Sequence, residues 1–342
     1  MSLTPKQIPE GAIRYNTDSN KMELWIGDKW MIVATSTPNL DGGARGIVMG
    51  GNPNTNTIDF FTISTQGDAQ NFGDLQTASS LGASGGSRTR GICVIGTPNH
   101  SDKLEFITIA STGDATDFGD QSHSNHKRNI SNGGSETRMI IAGGVFGSNP
   151  YTYYNSMEFV TIASTGNTVD FGDMTEARTQ PFTASSPTRF LTLGGYKSSS
   201  PNASDVIEFV TTATTGNSQD FGDLQEGNSG TPASCSNSTR AIMFGGRDES
   251  SNTMSKIQTV QIATGGNARK FGDLTQSVRF GSGTSSKTRG VRIAGYVVPS
   301  NADTSTMDYI QFASEGNAYE FGDLTRSTRS CGTSTSSDHG GL

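Results

Sequence analysis

Two residue types recur in this chain at spacings regular enough to suggest a shared chemical role. Aspartate ends the frame Gly-(Asn/Asp)-x-x-x-Phe-Gly-Asp in six places: Asp74, Asp120, Asp173, Asp223, Asp273 and Asp323. Arginine begins an apolar run that ends in glycine six residues later, also in six places: Arg45, Arg90, Arg138, Arg189, Arg240 and Arg289. The aspartates could bind cations at a rim, and the arginines could line a channel that captures anions.

The simpler interpretation of both series is structural. One carboxylate per frame is a poor ligand set for calcium, which needs several oxygens. An aspartate in a turn usually caps backbone N–H groups or pairs with a neighbouring arginine. Repetition once per unit is what packing between repeats requires. We therefore expect the aspartates to cap their turns or pair with the arginines, and the arginines to tether neighbouring units.

The remaining candidates for chemistry are few. His123 and His126 have a metal-binding spacing, but no third ligand is apparent, which favours a solvated loop. Cys93, Cys235 and Cys331 lie in different repeats without paired spacing, which predicts buried free thiols. No nucleophile elbow, paired catalytic acids or phosphate loop is evident. We therefore expect no catalytic residues, metal or cofactor; the alternative of an enzyme would show itself by a metal or cofactor in the purified protein.

One polar loop carries aromatic residues that could bind a ligand. Tyr151, Tyr153 and Tyr154 lie between Gly144 and Ser156, after the first apolar run of the third repeat. Tyrosines with polar neighbours are suited to stacking on sugars and also to contacts with another protein. This loop is our candidate for a glycan-binding or protein-binding site.

Composition excludes two classes of partner. The 342 residues carry a net charge of −7 with no stripe of lysine and arginine, which argues against nucleic acid. No apolar run approaches the ~20 residues needed to cross a bilayer, and the first residues lack the apolar core of a signal peptide. We expect no membrane insertion and folding in a reducing cytoplasm.

The repeated frames define the architecture. Their phenylalanines, from Phe72 to Phe321, are 46, 53, 50, 50 and 50 residues apart, which is the size of a propeller blade. Each repeat contains an Arg-to-Gly apolar run, a second apolar run, the Phe-Gly-Asp frame and a segment of small residues, which predicts four strands. The small-residue segment Arg329–Thr335 has no blade of its own, so we expect it to complete the first blade and close the ring.

These residues resemble the kelch repeat: arginine, an apolar strand, Gly-Gly, a second apolar strand and an aromatic residue near a turn. Phe271 and its equivalents occupy the place of the kelch tryptophan. The resemblance covers about residues 44–336 and departs from kelch at its tyrosine and outer tryptophan. It implies that residues 41–342 form an all-β, six-bladed kelch-like β-propeller with four-stranded blades.

Residues 1–40 lie outside the repeat and alternate as a three-stranded β-meander that contains both tryptophans. So small a sheet needs a partner surface for its apolar side chains. The run Gly11-Ala12-Ile13-Arg14-Tyr15-Asn16, followed by a Trp-rich hairpin, is similar to short modules in virion proteins of tailed phages, especially cyanophages. Docking is expected through Tyr15, Trp25 and Trp30, with folding back onto the propeller as the alternative.

That resemblance implies a non-enzymatic structural protein of a tailed-phage virion, assembled in the host cytoplasm. The propeller would be displayed on the tail, fibre or capsid, and the partners would be capsid, portal, tail or fibre proteins. The alternative from another class is a carbohydrate-binding adhesin that recognises a host surface glycan.

Overall fold

The computed structural model describes residues 8–17, 21–33, 45–97, 101–122, 130–147, 150–230, 233–298, 300–329 and 333–336. Throughout these ranges the protein is all-β, built from antiparallel sheets without any helix. The chain divides into two compact units, Met1–Leu40 and Asp41–Leu342. We call them the N-terminal unit and the repeat region.

The N-terminal unit contains one antiparallel sheet of three strands in the order β1–β2–β3. The strands are β1 (Ile13–Asn16), β2 (Lys21–Ile26) and β3 (Lys29–Ile32). The two residues between β2 and β3 form a tight turn in which Gly27 has a φ of +65°, a conformation that glycine adopts without strain. The Glu10 carboxylate accepts the Gly27 N–H at 3.0 Å and holds this turn.

The repeat region contains six sheets, I to VI, with four strands in the same spatial order a–b–c–d. Strand a carries small residues, b is the Arg-to-Gly run, c the second apolar run, and d the Phe-Gly-Asp frame. Sheet I contains β30 (Thr333–Ser336), β4 (Arg45–Met49), β5 (Thr55–Thr62) and β6 (Gln70–Ser79); sheet II contains β7 (Ala83–Gly86), β8 (Arg90–Val94), β9 (Lys103–Thr108) and β10 (Thr116–Asp120); sheet III contains β11 (Ser131–Gly134), β12 (Arg138–Ala142), β15 (Ser156–Thr161) and β16 (Val169–Asp173).

The remaining three sheets have the same strand order, and the repeat region also contains two local elaborations. Sheet IV contains β17 (Phe182–Ser185), β18 (Arg189–Leu193), β19 (Ser204–Thr211) and β20 (Gln219–Asn228); sheet V contains β21 (Ala233–Ser236), β22 (Arg240–Phe244), β23 (Lys256–Gln261) and β24 (Arg269–Asp273); sheet VI contains β26 (Ser282–Ser285), β27 (Arg289–Val298), β28 (Ala302–Gln311) and β29 (Tyr319–Thr328). In sheet VI the additional strand β25 (Ser277–Arg279) also pairs with β27. In sheet III a separate hairpin joins β13 (Val145–Phe146) to β14 (Thr152–Tyr153).

Strand a of sheet I comes from the carboxyl-terminal part of the chain. Thr333 lies opposite Met49 and Ser336 opposite Gly46, so β30 supplies the strand that β4 otherwise lacks. This pairing follows the prediction from the order of parts in the repeats.

The apolar core is divided among the spaces between successive sheets. Each of six clusters combines buried side chains of two neighbouring sheets. Between sheets VI and I, for example, Val291 and Phe321 pack in one cluster with Val48 and Phe61. Strands b and c are therefore apolar on both faces because each face meets another sheet.

The small residues of strand a permit close approach between sheets. Strand β30 lies beside both β7 and β26, and the other a strands are likewise next to those of their neighbours. A Cβ atom at Gly283 of sheet VI would collide with the carbonyl oxygen of Ser234 in sheet V. Larger side chains would separate these strands, so the composition of strand a reflects this spacing.

Candidate functional site

The repeated Phe-Gly-Asp frame is a joint between sheets. The Gly266 N–H of sheet V donates to the Phe221 carbonyl of sheet IV at 2.8 Å, and the Asp223 N–H donates to the Asn267 side chain at 3.1 Å. A Cβ atom at Gly222, where φ is +148°, would lie 2.6 Å from the Gly266 carbonyl group. The side chain of the second residue of the frame, Asn or Asp, thus accepts a hydrogen bond from the N–H of the final aspartate in the preceding sheet.

The same joint occurs six times. It includes the junction from sheet VI to sheet I, where the Gly67 N–H donates to the Phe321 carbonyl and the Asp323 N–H donates to the Asp68 carboxylate, each at 3.0 Å. The final aspartate enters this joint through its main-chain N–H, and capping by its side chain stays a prediction. These residues serve assembly of the fold.

The repeated arginines tether neighbouring sheets, as predicted. Arg189 of sheet IV donates to the Ile262 carbonyl of sheet V at 2.8 Å, and its guanidinium lies 4.7 Å from the centre of the Phe209 ring. The expected pairing of these arginines with the Phe-Gly-Asp aspartates is wrong, since their partners are main-chain carbonyls. The six donor and acceptor pairs are Arg45 and Ile109, Arg90 and Ile162, Arg138 and Thr212, Arg189 and Ile262, Arg240 and Phe312, and Arg289 and Ile63.

A series of buried acidic residues in strand c was missed by the sequence analysis. Each lies thirteen residues before the phenylalanine of its frame, a fixed spacing that could have identified the series. The members are Asp59, Glu105, Glu158, Glu208 and Asp308, and sheet V has Gln258 in their place. All six side chains are buried, so they belong to the interior rather than to an exposed ligand site.

The surroundings of these acids differ from sheet to sheet. Glu208 forms a fully buried ion pair with Arg178 and accepts the Thr175 N–H at 2.8 Å. Glu105 also accepts a main-chain N–H, from Gln76 at 2.8 Å, but no arginine faces it among the described residues. Burial therefore raises the pKa of Glu105, and the hydrogen bonds only partly oppose that effect.

The candidate tyrosine loop forms part of a small aromatic cluster. Tyr151 is 45% exposed, whereas Tyr153 and Tyr154 are half-buried. The Tyr153 ring stacks on Tyr196 of sheet IV, with 6.2 Å between ring centres and 27° between planes. Burial raises the pKa of Tyr153, and the two neighbouring tyrosines add to the shift. Tyr196 was missed because it follows Gly195 in the next repeat, far from the loop in sequence.

The structure separates the predicted docking residues onto two faces of the N-terminal sheet. Opposed residues of antiparallel strands share a face, and successive residues alternate. From the pairing of the three strands, the face that we call the apolar face carries Ile13, Tyr15, Met22, Leu24, Ile26 and Met31, with Lys29 at its edge opposite Ile26. Five of these side chains are 43–62% exposed, and Leu24 is half-buried.

The opposite face holds both tryptophans in a polar and aromatic network. Trp25 is only 5% exposed and meets Trp30 edge-on at 5.2 Å, while the Arg14 guanidinium lies 4.2 Å from the Trp30 ring centre. Arg14 also pairs with Glu23 at 2.7 Å. Hydrogen bonds from Asn16 and Arg14 lower the pKa of the Glu23 carboxyl. The tryptophans thus stabilise their own sheet, and Tyr15 alone of the three predicted anchors lies on the apolar face.

The remaining candidates contribute no metal site to the described ranges. No group of three or more potential ligands occurs there, and His123, His126 and Cys331 lie outside those residues. Cys93 and Cys235 are buried free thiols, as predicted. A search for membrane-spanning helices among the described residues found none.

Comparison with known proteins adds no family assignment. The sequence matched no protein-family model, and no curated protein matched it.

Proposed function

We propose that this protein is a non-enzymatic structural component of a tailed-phage virion. The repeat region would be a closed, six-bladed kelch-like propeller displayed on the tail, fibre or capsid. The N-terminal unit would attach it to another virion protein. The observation that carries this proposal is the exposed apolar face of the N-terminal sheet, in a segment that resembles phage virion modules.

The propeller proposal has support from contacts between the first and last sheets. The frame joint, the arginine tether and a core cluster each connect sheet VI to sheet I, just as they connect every other successive pair. Such a cyclic set of contacts leaves no terminal sheet with an uncovered apolar face. A closed and rigid body of this kind suits display on a particle.

The docking proposal rests on the cost of exposing apolar side chains. Ile13, Tyr15, Met22, Ile26 and Met31 lie on one face of a single small sheet and are all exposed. Burying apolar surface is favourable by about 25 cal/mol per Å², and a contiguous exposed apolar patch usually marks an interaction site. We therefore assign the attachment surface to this face rather than to the tryptophans.

The test is incorporation into particles. The phage genome would be altered to encode the Ile13→Lys/Met31→Lys variant, and purified particles would be assayed for the protein by quantitative mass spectrometry. The matched control is Ile32→Lys, because Ile32 is 53% exposed but lies on the opposite face. We expect the double variant to be lost and the control to be retained.

Two results would contradict these assignments. Absence of the wild-type protein from purified particles would overturn the virion role. Normal incorporation of the Ile13→Lys/Met31→Lys variant would refute docking through the apolar face while leaving the virion role intact.

A second candidate function is recognition of a host-surface glycan. The observation that favours it is the stacked pair of Tyr153 and Tyr196 beside the exposed Tyr151. Aromatic rings with a polar edge are suited to sugar rings. A glycan array probed with the wild-type protein and with Tyr151→Ala would test this role: binding that the substitution abolishes supports an adhesin, and no binding by the wild type argues against it.

A further inference from the structure

Equivalent positions near the Gly-Gly ends of strand b differ from sheet to sheet, unlike the repeated joint residues. In five sheets, the residue after the glycine that ends the Arg-to-Gly run pairs with a residue of the segment that enters the sheet. The five pairs are Arg329 with Asn52, Ser80 with Thr97, Thr179 with Tyr196, Ser229 with Arg247, and Arg279 with Tyr296. Three of these ten residues are arginines: Arg247 in sheet V, Arg279 in sheet VI and Arg329 at sheet I. Because the pattern is not repeated, the general packing of the fold does not require it.

Two of the three arginines lie against one aromatic ring, and the third comes from the neighbouring sheet. The Arg279 guanidinium lies 4.9 Å from the centre of the Tyr296 ring, and the Arg329 guanidinium lies 5.2 Å from it. Arg247 approaches from sheet V, with its aliphatic stem over Gly230, whose carbonyl accepts the Phe280 N–H at 2.9 Å. The additional strand β25, found in sheet VI, is what carries Arg279 to this position.

The three arginines have fewer carboxylate partners among the described residues than they have positive charges. Arg329 pairs with Asp303 at 3.2 Å, but no carboxylate in the described ranges pairs with Arg247 or Arg279. The buried Nε of Arg279 has no hydrogen-bond partner there either. Burial and the charges of Arg247 and Arg329 lower the pKa of Arg279, in keeping with crowded cations. An anion bound near these guanidinium groups would relieve this repulsion.

We propose that Arg247, Arg279 and Arg329, together with Tyr296, form a binding site for a phosphate or sulfate group. A guanidinium offers a planar fork of donors that matches the oxygens of such groups. The neighbouring rings of Tyr296 and Phe280 would contact a ligand that carries the oxyanion, such as a sulfated or phosphorylated sugar. The site does not depend on the proposed virion role.

Isothermal titration calorimetry on the full chain would test the site. The probes are inorganic phosphate, inorganic sulfate, N-acetylglucosamine 6-sulfate and uncharged N-acetylglucosamine, with ionic strength held constant by chloride. We expect saturable binding of the oxyanions at one site and none of the uncharged sugar. Tighter binding of the sulfated sugar than of sulfate would assign the ligand to a saccharide, and equal binding would assign it to the free ion; both results support the oxyanion site.

The variants are Arg279→Gln and Arg247→Gln, each expected to weaken binding by about tenfold or more through loss of charge-assisted hydrogen bonds. The matched control is Arg88→Gln, an arginine that is 41% exposed and lies 3.4 Å from Glu136 in another part of the repeat region. If Arg279→Gln fails to fold, as judged by circular dichroism, Arg247→Gln provides the test, because the Arg247 guanidinium makes only one long contact with the fold, from Nε to the Ser251 carbonyl at 3.4 Å. No saturable binding by the wild type, unchanged binding by the folded variants, or an equal loss in Arg88→Gln would overturn the site.

Discussion

The buried ion pair between Arg178 and Glu208 allows a sharp test of how the sheets are held together. Both side chains are fully buried, and Glu208 also accepts the Thr175 N–H at 2.8 Å. In Glu208→Gln, the amide oxygen can still accept that N–H, as Gln258 accepts the Gln225 N–H at 3.1 Å in sheet V. The substitution therefore removes one charge with little change in shape.

The expected loss follows from the arginine left behind. Arg178 would keep its neutral acceptors, including the Val206 carbonyl at 3.1 Å and the Thr192 hydroxyl at 3.1 Å. Its buried positive charge would nevertheless keep only Glu176 as a counterion, a partly exposed carboxylate 4.0 Å away, and breaking a buried ion pair destabilises a fold by about 3–5 kcal/mol. Removing both charges in Arg178→Met/Glu208→Gln should restore most of that stability, because a buried pair contributes little over an apolar replacement.

Chemical denaturation followed by far-ultraviolet circular dichroism is the appropriate measurement. Tryptophan fluorescence would report on the wrong unit, because Trp25 and Trp30 both belong to the N-terminal sheet. We expect a large fall in the free energy of unfolding for Glu208→Gln and near recovery in the double variant. A single variant as stable as the wild type, or a double variant as unstable as the single, would refute the reasoning.

Three further predictions concern the same repeat region. Glu105→Gln should stabilise the fold at neutral pH, whereas Glu208→Gln should destabilise it. Burial raises the pKa of Glu105 in the folded state, so ionisation of Glu105 costs stability as the pH rises above the usual glutamate pKa of 4.5. The gain in the free energy of unfolding should therefore vanish in denaturation curves measured near or below that pH. Phe221→Ala should cost about 3–5 kcal/mol because its ring is buried in the core between sheets IV and V; a loss below about 1 kcal/mol would contradict that packing. Deleting residues 328–342, which removes β30 from sheet I, should lower the melting temperature of the whole repeat region, and an unchanged thermal transition would argue against the proposed closed propeller.

Much of the fold was accessible from local pattern. The frames from Phe72 to Phe321 and the apolar runs predicted four strands per repeat, and the structure has strands at these places, because strand formation and face burial follow a short period. The pairing of β30 with β4 was also predictable, since an orphan strand at one end matched a missing strand at the other. Tethering by the repeated arginines followed from repetition alone.

The sites depended on information that no local pattern contains. Tyr15 and the two tryptophans look alike in the sequence, but the register of β1, β2 and β3 places them on opposite faces, because a strand turns each successive residue to the other side. Glu105 and Glu208 occupy equivalent positions, yet only Glu208 faces an arginine, because Arg178 arrives from a segment thirty residues earlier. Arg247, Arg279 and Arg329 likewise meet only where sheets V, VI and I come together. The sequence by itself determined the repeating strands and their joints, which rest on short-range periodicity; tertiary structure alone decided which side chains share a face, a charge or a site, because those contacts join residues far apart in the chain.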